Sequence, residues 1–433
     1  MDDGNLISIG AAFGRAMDSA TLTGLARDSK FCERMRTVSP HEVVVGVIAA
    51  MATQSTQSIA DIQRTFNALS GRCTAYKPFH KKLAKAQFPT LMRAVACHLL
   101  NELVTDALAP MDRSGLSQFD DILLHDGTSF AVHDALAQVF PGRHTTISPA
   151  AVELHATLSL WCDQPVGLSI TADTAAEREQ LPEPAELRGR LLIGDRGYQD
   201  IDYCREVDAQ GGYVLIRHQT QINPAVIESF VGGNPVASHR GRRLHDIMSK
   251  HRGKTIDVDA QWQGVGGTNR PDTRLRVVLL WNPRRRDHMA LVTNLDRARF
   301  SPLDLYKIYR LRWQVELLFK EWKSHCNLHK FVTTKAPIAE GLMWAALAAC
   351  ILKRFMAKAA QLVFDVGEVS TLKTALTVGH HLYALLQAVL DGHHIRAALL
   401  SLLRHLSTQA LRAHPNRDRT TGRLNLGIRP VTA

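Results

Sequence analysis

The sequence has few cysteines, and their arrangement excludes two kinds of structural unit. Seven cysteines occur among 433 residues, and no two of them form a C-x-x-C pair. An odd number without that spacing indicates neither a disulfide framework nor a zinc cluster. The pattern fits a reducing compartment.

The sequence also lacks the segments that direct a protein into or across a membrane. Its first ten residues, MDDGNLISIG, are acidic and contain no cationic segment before an apolar run, so they do not resemble a secretory signal. The most apolar stretch, residues 341–352, is too short to span a bilayer and predicts a buried helix. We therefore expect a cytoplasmic protein.

Acidic residues are outnumbered by basic ones. Lys plus Arg total 52 against 41 for Asp plus Glu, and the net charge is +11. This balance suggests a polyanionic partner, most commonly nucleic acid, and a soluble protein that is merely basic explains it equally well. The positive charge is clustered in residues 77–85, 239–254 and 284–286. The second and third clusters make a plausible phosphate-tracking surface, in which we expect Arg240, Arg242 and Arg243 to contact DNA. The first cluster is better explained as a solvated helix face, with a DNA-contacting surface as the alternative.

The hydrophobic pattern changes along the chain and predicts an α/β fold. Apolar residues recur at helical spacing in residues 43–51 and 91–104 of a helical region 1–115. Short strand-like runs follow, at residues 121–125, 152–161, 166–171, 191–193 and 213–217. Residues 220–300 are rich in Gly, Arg and β-type runs and predict a β-rich insertion, and residues 336–411 are again helical. The basic tail, residues 412–433, is expected to be loosely ordered.

A helix is predicted to begin sharply near residue 301. Ser301 is a suitable N-cap, Pro302 suits the first helical position, and Asp304 completes a capping box. The helix is expected to continue without a break to about Asn327. On such a helix five residues share one face. They are Tyr309, Arg312, Glu316, Lys320 and Lys323. By itself this pattern is more typical of an amphipathic helix with ion pairs one turn apart than of a catalytic site.

Two aspartates elsewhere in the chain strengthen a catalytic interpretation of that helix. Asp126 and Asp195 each follow an apolar strand-like run and lie beside a glycine, which allows a tight turn or close approach of the backbone to a ligand. Together with Glu316 they supply three carboxylates from two strands and a helix. Such a set is able to hold two Mg²⁺ ions about 3.5–4 Å apart, with Mn²⁺ as a substitute. His125 and His155 are expected to be packed strand histidines and not metal ligands.

The spacing in this helix resembles a known family signature. Residues 309–323 read YRLRWQVELLFKEWK, which matches the pattern Y-x2-R-x3-E-x6-K of the insertion-sequence DDE transposases. Gly194-Asp-Arg-Gly-Tyr198 looks like the second-aspartate motif of that family, and Asp126-Gly-Thr128 looks like the first. The resemblance covers about residues 120–335, and the gap between Asp195 and Glu316 matches the β-rich insertion of the family.

The resemblance implies a fold, a reaction and partners. The fold is an RNase H-like catalytic core with a β-rich insertion, flanked by helical N- and C-terminal regions. The reaction is metal-dependent DNA cleavage and strand transfer through a DNA hairpin, with Asp126, Asp195 and Glu316 as catalytic residues and metal ligands. The partners are terminal inverted repeats and target DNA, bound by a homodimer in a synaptic complex. Residues Tyr309, Arg312, Lys320 and Lys323 are then candidate DNA contacts.

This interpretation divides the chain into five parts. They are a DNA-binding domain 1–115, the first part of the core 116–219, the insertion 220–300, the second part of the core 301–365 and a C-terminal region 366–433. Some relatives stack a flipped base on a tryptophan of the insertion. The matching position here is Met289, which contacts a base less well than an aromatic ring does. Trp281 or Trp262 are the alternatives, although both suit the core.

Two other functions compete with this one. An RNase H-like nuclease or resolvase would cut DNA without joining ends to a target. A decayed copy would retain only DNA binding. All three carboxylates and the Tyr-Arg-Glu-Lys residues are intact in this sequence, which argues against decay.

Overall fold

A computed structural model describes residues 2–34, 37–53, 56–103, 116–162, 164–219, 221–262, 272–325, 333–367 and 369–413. Two predicted features fall outside these residues: the helix end at Asn327 and most of the basic tail. The described residues form a large mixed sheet with helices on both faces and helical regions at both ends.

In the described residues, six helices precede the first strand, and the periodicity predicts a helical region there. They are α1 (Asp3–Ala16), α2 (Ser19–Asp28), α3 (Pro40–Ala52), α4 (Ile59–Ser70), α5 (Tyr76–Leu83) and α6 (Phe88–Leu103). Helix α3 begins sharply because Ser39 and Glu42 form a capping box and Pro40 takes the first turn. All but one of its thirteen residues are buried, so α3 is a core helix of this region.

The ten strands of the described residues lie in one sheet. They are β1 (Ile122–Ala131), β2 (Ala151–Ser159), β3 (Gln164–Ala172), β4 (Leu191–Gly194), β5 (Tyr213–Arg217), β6 (Ala225–Val231), β7 (Asn234–Pro235), β8 (Ile256–Trp262), β9 (Thr273–Asn282) and β10 (Asp287–Thr293). The order across the sheet is β3-β2-β1-β4-β5-β10-β9-β8-β6-β7. Strands β1, β4 and β5 are parallel, whereas β1, β2 and β3 form an antiparallel meander.

The strands of residues 220–300 extend this same sheet. The segment is rich in strands, as predicted, but β10 pairs directly with β5, with Leu291 opposite Arg217. Residues 220–300 are therefore inserted in the order of the chain, but they do not form a separate sheet. This pairing joins residues far apart in the sequence, which is why local pattern does not reveal it.

The two faces of the sheet are covered by different helices. Leu124 of β1 belongs to the larger core, together with Leu305, Val315 and Trp322 of the helices after residue 301. Its neighbour Leu123 points to the opposite face, which is covered by α7 (Ile201–Ala209) and α8 (Leu244–Lys250). Because side chains alternate along a strand, Asp126 lies on the same face as Leu124.

The predicted helix after residue 301 is interrupted. It starts as expected, because Ser301 and Asp304 form a capping box around Pro302. Helix α9 (Pro302–Tyr309) then gives way to a 3-10 turn at Arg310–Arg312, and α10 (Trp313–His325) follows. The expectation of one continuous helix is therefore wrong, although Tyr309, Arg312 and Lys323 all still face the sheet. A 3-10 turn winds more tightly than an α-helix and changes the directions of the side chains that follow it.

The C-terminal region is helical, as the sequence predicts. It comprises α11 (Ala336–Phe364), α12 (Thr371–Thr377), α13 (Gly379–Asp391) and α14 (Ile395–Gln409). Helix α11 is long and apolar enough to cross a membrane, but 83% of its most apolar window is buried inside the protein. Its Gly341 allows α6 to approach closely, because a Cβ there would lie 2.2 Å from the ring of Phe88. This close contact confirms the prediction of a buried helix at residues 341–352.

Candidate active site

Asp126 lies in the middle of strand β1 and not at its end. The strand continues five residues further, to Ala131. The sequence placed Asp126 at the end of a short run, because the polar residues that follow it read as a turn. The carboxylate Oδ1 accepts a hydrogen bond from the Gly127 amide at 2.9 Å.

Asp195 is the first residue after strand β4. The parallel register places Gly194 opposite His125, so the next residues, Asp195 and Asp126, lie side by side on neighbouring strands. Asp195 Oδ1 accepts a hydrogen bond from the Tyr309 hydroxyl at 3.1 Å. Arg217, the last residue of β5, places its guanidinium 3.9 Å from the same oxygen. Arg217 was not singled out from the sequence. An arginine at the end of the strand-like run 213–217 could have indicated a cation near Asp195.

Arg312 connects the third carboxylate to the first. Its Nη1 lies 2.5 Å from Asp126 Oδ2, and its Nη2 donates to Glu316 Oε1 one helical turn away. Both Arg312 and Asp126 are only 16% exposed. The structure therefore brings Asp126, Asp195 and Glu316 to one place, from β1, from the residue after β4 and from the first turn of α10.

The electrostatics of this site reflect three acids in a partly buried place. Burial raises the pKa of Asp126 to about 6, despite the opposing charge of Arg312, and Asp195 and Glu316 raise it further by repulsion. Burial lowers the pKa of Arg312, but the attraction of Asp126 and the neighbouring acids outweighs it and leaves the pKa above its ordinary value. An added cation would favour the ionised form of Asp126.

The donor set suits a hard divalent cation. The three acids offer only carboxylate oxygens, the ligands that Mg²⁺ prefers. In the described part of the chain, no three acids, histidines or cysteines stand close enough to hold one ion as they are arranged. The cation between Asp126 and Glu316 is the Arg312 guanidinium. In this arrangement Arg312 therefore balances the charges of both carboxylates.

A layer of polar rings lies under the two aspartates, on the opposite face of the sheet. Tyr198, from the 3-10 turn that follows Asp195, makes a hydrogen bond of 3.1 Å with His155 and lies edge-on to His125 at 4.7 Å. His125 also bonds Thr157 at 2.8 Å. Burial lowers the pKa of His125 to about 3 and that of His155 to about 4. Both histidines are packed and hydrogen-bonded, as expected.

Gly127 fits this layer for a reason that differs from the predicted one. It lies within β1 and makes no turn. A Cβ at Gly127 would lie 2.8 Å from Glu153 Oε1, 2.9 Å from the Tyr198 hydroxyl and 3.0 Å from His155 Nδ1. Glycine is therefore required because side chains from β2 and from the Asp195 turn approach the backbone beside Asp126. Sequence reasoning overlooked Tyr198 and Glu153 as parts of the site.

The lysines of α10 have different surroundings. Lys323 Nζ donates to the Ser129 carbonyl of β1 at 2.7 Å, and burial lowers its pKa. Lys320 is exposed. Trp313, next to Arg312, is 59% exposed, an unusual exposure for a tryptophan. No sequence pattern indicated this exposure, because it depends on the 3-10 turn that precedes α10.

The predicted DNA contacts outside the helix have mixed surroundings. Arg240, Arg242 and Arg243 are exposed in the turn before α8. In the cluster at residues 77–85, Lys82 and Lys85 donate to backbone carbonyls of the same helical region. The role of either cluster in DNA binding stays a prediction.

The candidates for base stacking are also distributed over both faces of the sheet. Met289 is half-buried against the larger core, on the face that α10 covers. Trp262 packs in the smaller core on the other face, and Trp281 lies edge-on to His288 at 5.0 Å. Met289 is thus the candidate that shares a face with the carboxylates, while base contact itself stays a prediction.

Comparison with known families decides the classification. Residues 117–352, more than half of the chain, match the family described as Transposase DDE domain. The chain belongs to this family. The matched segment begins just before β1 and ends within α11, so it includes all three carboxylates of the site.

Full-length relatives of this DDE transposase domain are insertion-sequence transposases. The transposase for insertion sequence element IS231E of Bacillus thuringiensis subsp. finitimus is 23% identical over 92% of this chain and 91% of its own length. The transposase for IS1151 of Clostridium perfringens is 20% identical over 83% of each chain. A solved piggyBac transposase synaptic complex with hairpin DNA has a similar fold, with a TM-score of 0.51 at 12% identity over 94% of this chain and 86% of the other.

Proposed function

We propose that this chain is the transposase of an insertion sequence and moves it by cutting and pasting DNA. The observation that carries the proposal is the convergence of Asp126, Asp195 and Glu316 from β1, the end of β4 and α10. The names of the full-length relatives support the insertion-sequence assignment. The terminal inverted repeats of such an element and a target duplex are then the substrates.

The catalytic core of the proposed enzyme is RNase H-like. The order β3-β2-β1-β4-β5, with an antiparallel meander followed by two parallel strands, supports this assignment. The acids project from the two central strands of this unit and from a helix packed on it. In this interpretation residues 116–219 and 301–365 form the core, residues 220–300 extend its sheet, and residues 1–115 and 366–433 flank it.

The chain's own residues have separate tasks in the proposed reaction. Two Mg²⁺ ions, when bound by Asp126, Asp195 and Glu316, would activate a water or a 3′-hydroxyl and stabilise the leaving oxygen. Arg312 offers two parallel donors to a phosphate once it leaves the carboxylates. Tyr309 holds Asp195 through its hydroxyl, and Lys323 places a compact positive charge further along β1.

A hairpin intermediate and a homodimer in the synaptic complex complete the proposal. The solved complex with a similar fold contains hairpin DNA, which supports a hairpin pathway for this chain by analogy of fold alone. A hairpin forms when the 3′-hydroxyl released by the first nick attacks the opposite strand, so one site carries out successive phosphoryl transfers. A nuclease or resolvase has no use for the second transfer.

A strand-transfer assay tests the proposed function. The purified chain is incubated with Mg²⁺, a labelled duplex from the terminal repeat of its element and a supercoiled target plasmid. We expect nicked, hairpin and plasmid-joined products on denaturing and native gels. Cleavage without joined products, from either intact or pre-cut ends, would identify a nuclease or resolvase. Binding without any cleavage would identify an inactive relic.

A further inference from the structure

The segment between β10 and α9, residues 294–301, forms an entry turn that is held by a buried arginine of another strand. Arg276 of β9 is 5% exposed, and its Nη1 donates to the carbonyls of Leu295 at 3.2 Å and Phe300 at 2.9 Å. Arg276 lies on the face of the sheet that α9 covers, because Val278, two residues further along β9, belongs to the larger core. One guanidinium nitrogen thus joins both ends of the entry turn.

The other two nitrogens of Arg276 hold a carboxylate. Nε donates to Asp257 Oδ1 at 2.9 Å, and Nη2 donates to Asp257 Oδ2 at 2.7 Å. Asp257 belongs to β8 and is also 5% exposed. This two-point contact fixes the plane of the guanidinium, so the direction in which Nη1 points toward the entry turn is fixed as well.

A second arginine ties the entry turn to the same strands. Arg297 Nη2 donates to Asp259 Oδ1 at 2.7 Å and to Asp257 Oδ1 at 3.2 Å. Its guanidinium also lies 4.4 Å from the centre of the Phe230 ring of β6. The entry turn is therefore attached to β6, β8 and β9, and not only to β10, which precedes it in the chain.

The stability of the fold does not by itself account for a buried ion pair at this place. Removing two charges from water costs about as much as their attraction returns, and apolar side chains of similar volume often stabilise a core as well or better. The neighbours of Arg276 along β9 are of that kind, since Val277, Val278 and Leu279 are fully buried. The bonds to the two carbonyls of the entry turn are what the ion pair provides and an apolar pair would not.

The entry turn sets the direction in which α9 leaves the sheet. Ser301 follows Phe300 directly and is the N-cap of α9, and the helix ends at Tyr309. Eight residues at about 1.5 Å each make α9 about 12 Å long, so a tilt of about 5° at its start displaces its end by about 1 Å. The Tyr309 hydroxyl bonds Asp195 at 3.1 Å, and a hydrogen bond of this length is lost when its two atoms separate by that much more.

We propose that Arg276 is a positioning residue, which sets the start of α9 so that the Tyr309 hydroxyl reaches Asp195. Asp257 contributes by holding the guanidinium in one orientation. This inference rests on the proposed function, because only there do Tyr309 and Asp195 have a task in a reaction. It extends the machinery to strands of residues 220–300 that lie away from the carboxylates.

An apolar replacement of the ion pair separates positioning from stability. Arg276→Met combined with Asp257→Leu removes both charges, while Arg297 keeps its contact with Asp259. We expect a urea midpoint close to that of the unaltered protein and binding of the DNA end within about threefold. Second-strand cleavage of pre-nicked ends, followed on denaturing gels at saturating DNA, should fall about tenfold or more. A stable variant that cuts at the unaltered rate overturns the proposal.

A charge-conserving replacement provides the second variant. Arg276→Lys keeps a cation beside Asp257, but one ammonium group cannot bond both carboxylate oxygens and both carbonyls of the entry turn, so second-strand cleavage should again fall about tenfold. The matched control is Arg72→Lys, which makes the same change in the ion pair of Arg72 with Glu42 and should cut at the unaltered rate. If both Arg276 variants lose their stability in urea, the ion pair serves the fold and the proposal is wrong.

Tyr309 is the residue through which Arg276 acts, and a double-mutant cycle tests this link. Tyr309→Phe removes the hydroxyl, so the exact position of the ring no longer matters to Asp195. In that background Arg276→Lys should slow second-strand cleavage by less than about threefold, against about tenfold in the otherwise unaltered protein. A merely structural role would give the same factor in both backgrounds, and that result would overturn the proposal.

Failure of the proposed function would look different. An unaltered protein that cuts neither intact nor pre-nicked ends with Mg²⁺ refutes the proposed function, and the positioning role falls with it. An unaltered protein that cuts ends, together with an Arg276→Lys variant that behaves like Arg72→Lys, refutes the positioning role alone.

Discussion

At the scale of single residues, Arg312 explains how a partly buried acid pair is tolerated. A buried carboxylate without a partner costs several kcal/mol, and Asp126 is only 16% exposed. Arg312 offsets that cost for Asp126 and Glu316 together. In the proposed enzyme, metal ions held by these carboxylates would supply the positive charge that Arg312 supplies here.

The three acids provide the first prediction at this scale. Asp126→Asn, Asp195→Asn and Glu316→Gln should each lower cleavage about a thousandfold or more, because an amide is a poor ligand for Mg²⁺. Binding of the DNA end should stay within about threefold, since none of the acids attracts phosphate. Gel assays of nicking and mobility-shift titrations measure the two quantities.

Asp287→Asn is the matched control for these variants, because Asp287 is an exposed acid of β10 that we assign no role. It should cut at the unaltered rate. An Asp126, Asp195 or Glu316 variant that cuts as fast as this control with Mg²⁺ is wrongly assigned as a ligand.

The packing at Gly127 gives a second prediction. In Gly127→Ala the new methyl group would displace Glu153, the Tyr198 hydroxyl or His155, all within 3.0 Å. Because Tyr198 belongs to the turn that follows Asp195, the strain reaches the second aspartate. We expect nicking to fall about tenfold or more and stability to fall by about 1–3 kcal/mol. Urea unfolding and single-turnover nicking measure the two effects.

The control for overpacking is Gly14→Ala in α1. No atom lies within 4 Å of a Cβ at Gly14, so this variant should be stable and fully active. Relief should come from Gly127→Ala combined with Tyr198→Phe, which removes one of the clashing oxygens. If Gly127→Ala is as active and stable as Gly14→Ala, the layer under the aspartates does not position them.

At the scale of secondary-structure elements, the break between α9 and α10 decides which groups meet. The 3-10 turn at Arg310–Arg312 lets Tyr309 reach Asp195 while Arg312 reaches Asp126. Lys323 reaches Ser129, further along β1. The signature helix therefore contacts the sheet at three separate points, and two of its cations lie at different positions along β1.

This arrangement predicts a division of labour in the reaction. Arg312→Ala, Lys323→Ala and Tyr309→Phe should retain some first-strand nicking but lose hairpin formation or resolution by at least about tenfold more. The physical reason is that a hairpin brings phosphates close together and needs more cationic and hydrogen-bonding contacts than a single nick does. Denaturing gels of intact and pre-nicked ends compare the steps.

Lys320→Ala serves as a control on the same helix, because Lys320 is exposed and is absent from the contacts among the carboxylates. It should affect both steps weakly. Equal losses in nicking and hairpin chemistry would contradict the division of labour and favour the alternative that Arg312 mainly shapes the site by pairing with Glu316. Glu316 would remain a candidate ligand in that case.

Local signals predicted the elements that local chemistry controls. The capping box at Ser301 and Asp304 predicted the start of α9, and the apolar run at residues 341–352 predicted a buried helix. The pairing of β10 with β5 was not predictable in this way, since it depends on contacts between distant segments. The 3-10 turn was missed because no proline or glycine marks it.

The active site shows the same distinction between features set by local sequence and features set by distant contacts. Residue type and spacing predicted that Asp126, Asp195 and Glu316 belong together, and the structure brings them together. The crowding around Gly127 and the exposure of Trp313 were not predictable, because each depends on which side chains the fold places nearby. Metal ligation and DNA contacts stay predictions.

At the scale of the whole molecule, the sheet provides a long platform for a duplex. Five strand spacings separate β4, which leads to Asp195, from β6, beside the basic turn of residues 240–243. At about 4.8 Å per strand, that distance is about 24 Å, or about seven base pairs of B-DNA. A duplex cut at the carboxylates is therefore long enough to reach the exposed arginines, and the net charge of +11 favours its approach.

The last prediction concerns this basic turn. Replacing Arg240, Arg242 and Arg243 together with Gln should weaken end binding and flatten the plot of log affinity against log salt. Each lost phosphate contact lowers the slope by about 0.9, so the full effect is about 2.7 if all three residues contact DNA. The matched control replaces Arg284, Arg285 and Arg286 with Gln. This change removes the same charge from another exposed turn. If the control flattens the slope equally, the effect is not specific to residues 240–243. An unchanged slope in the first variant would exclude the turn, and Lys77 and Lys81 of α5, both exposed, would be the next residues to replace.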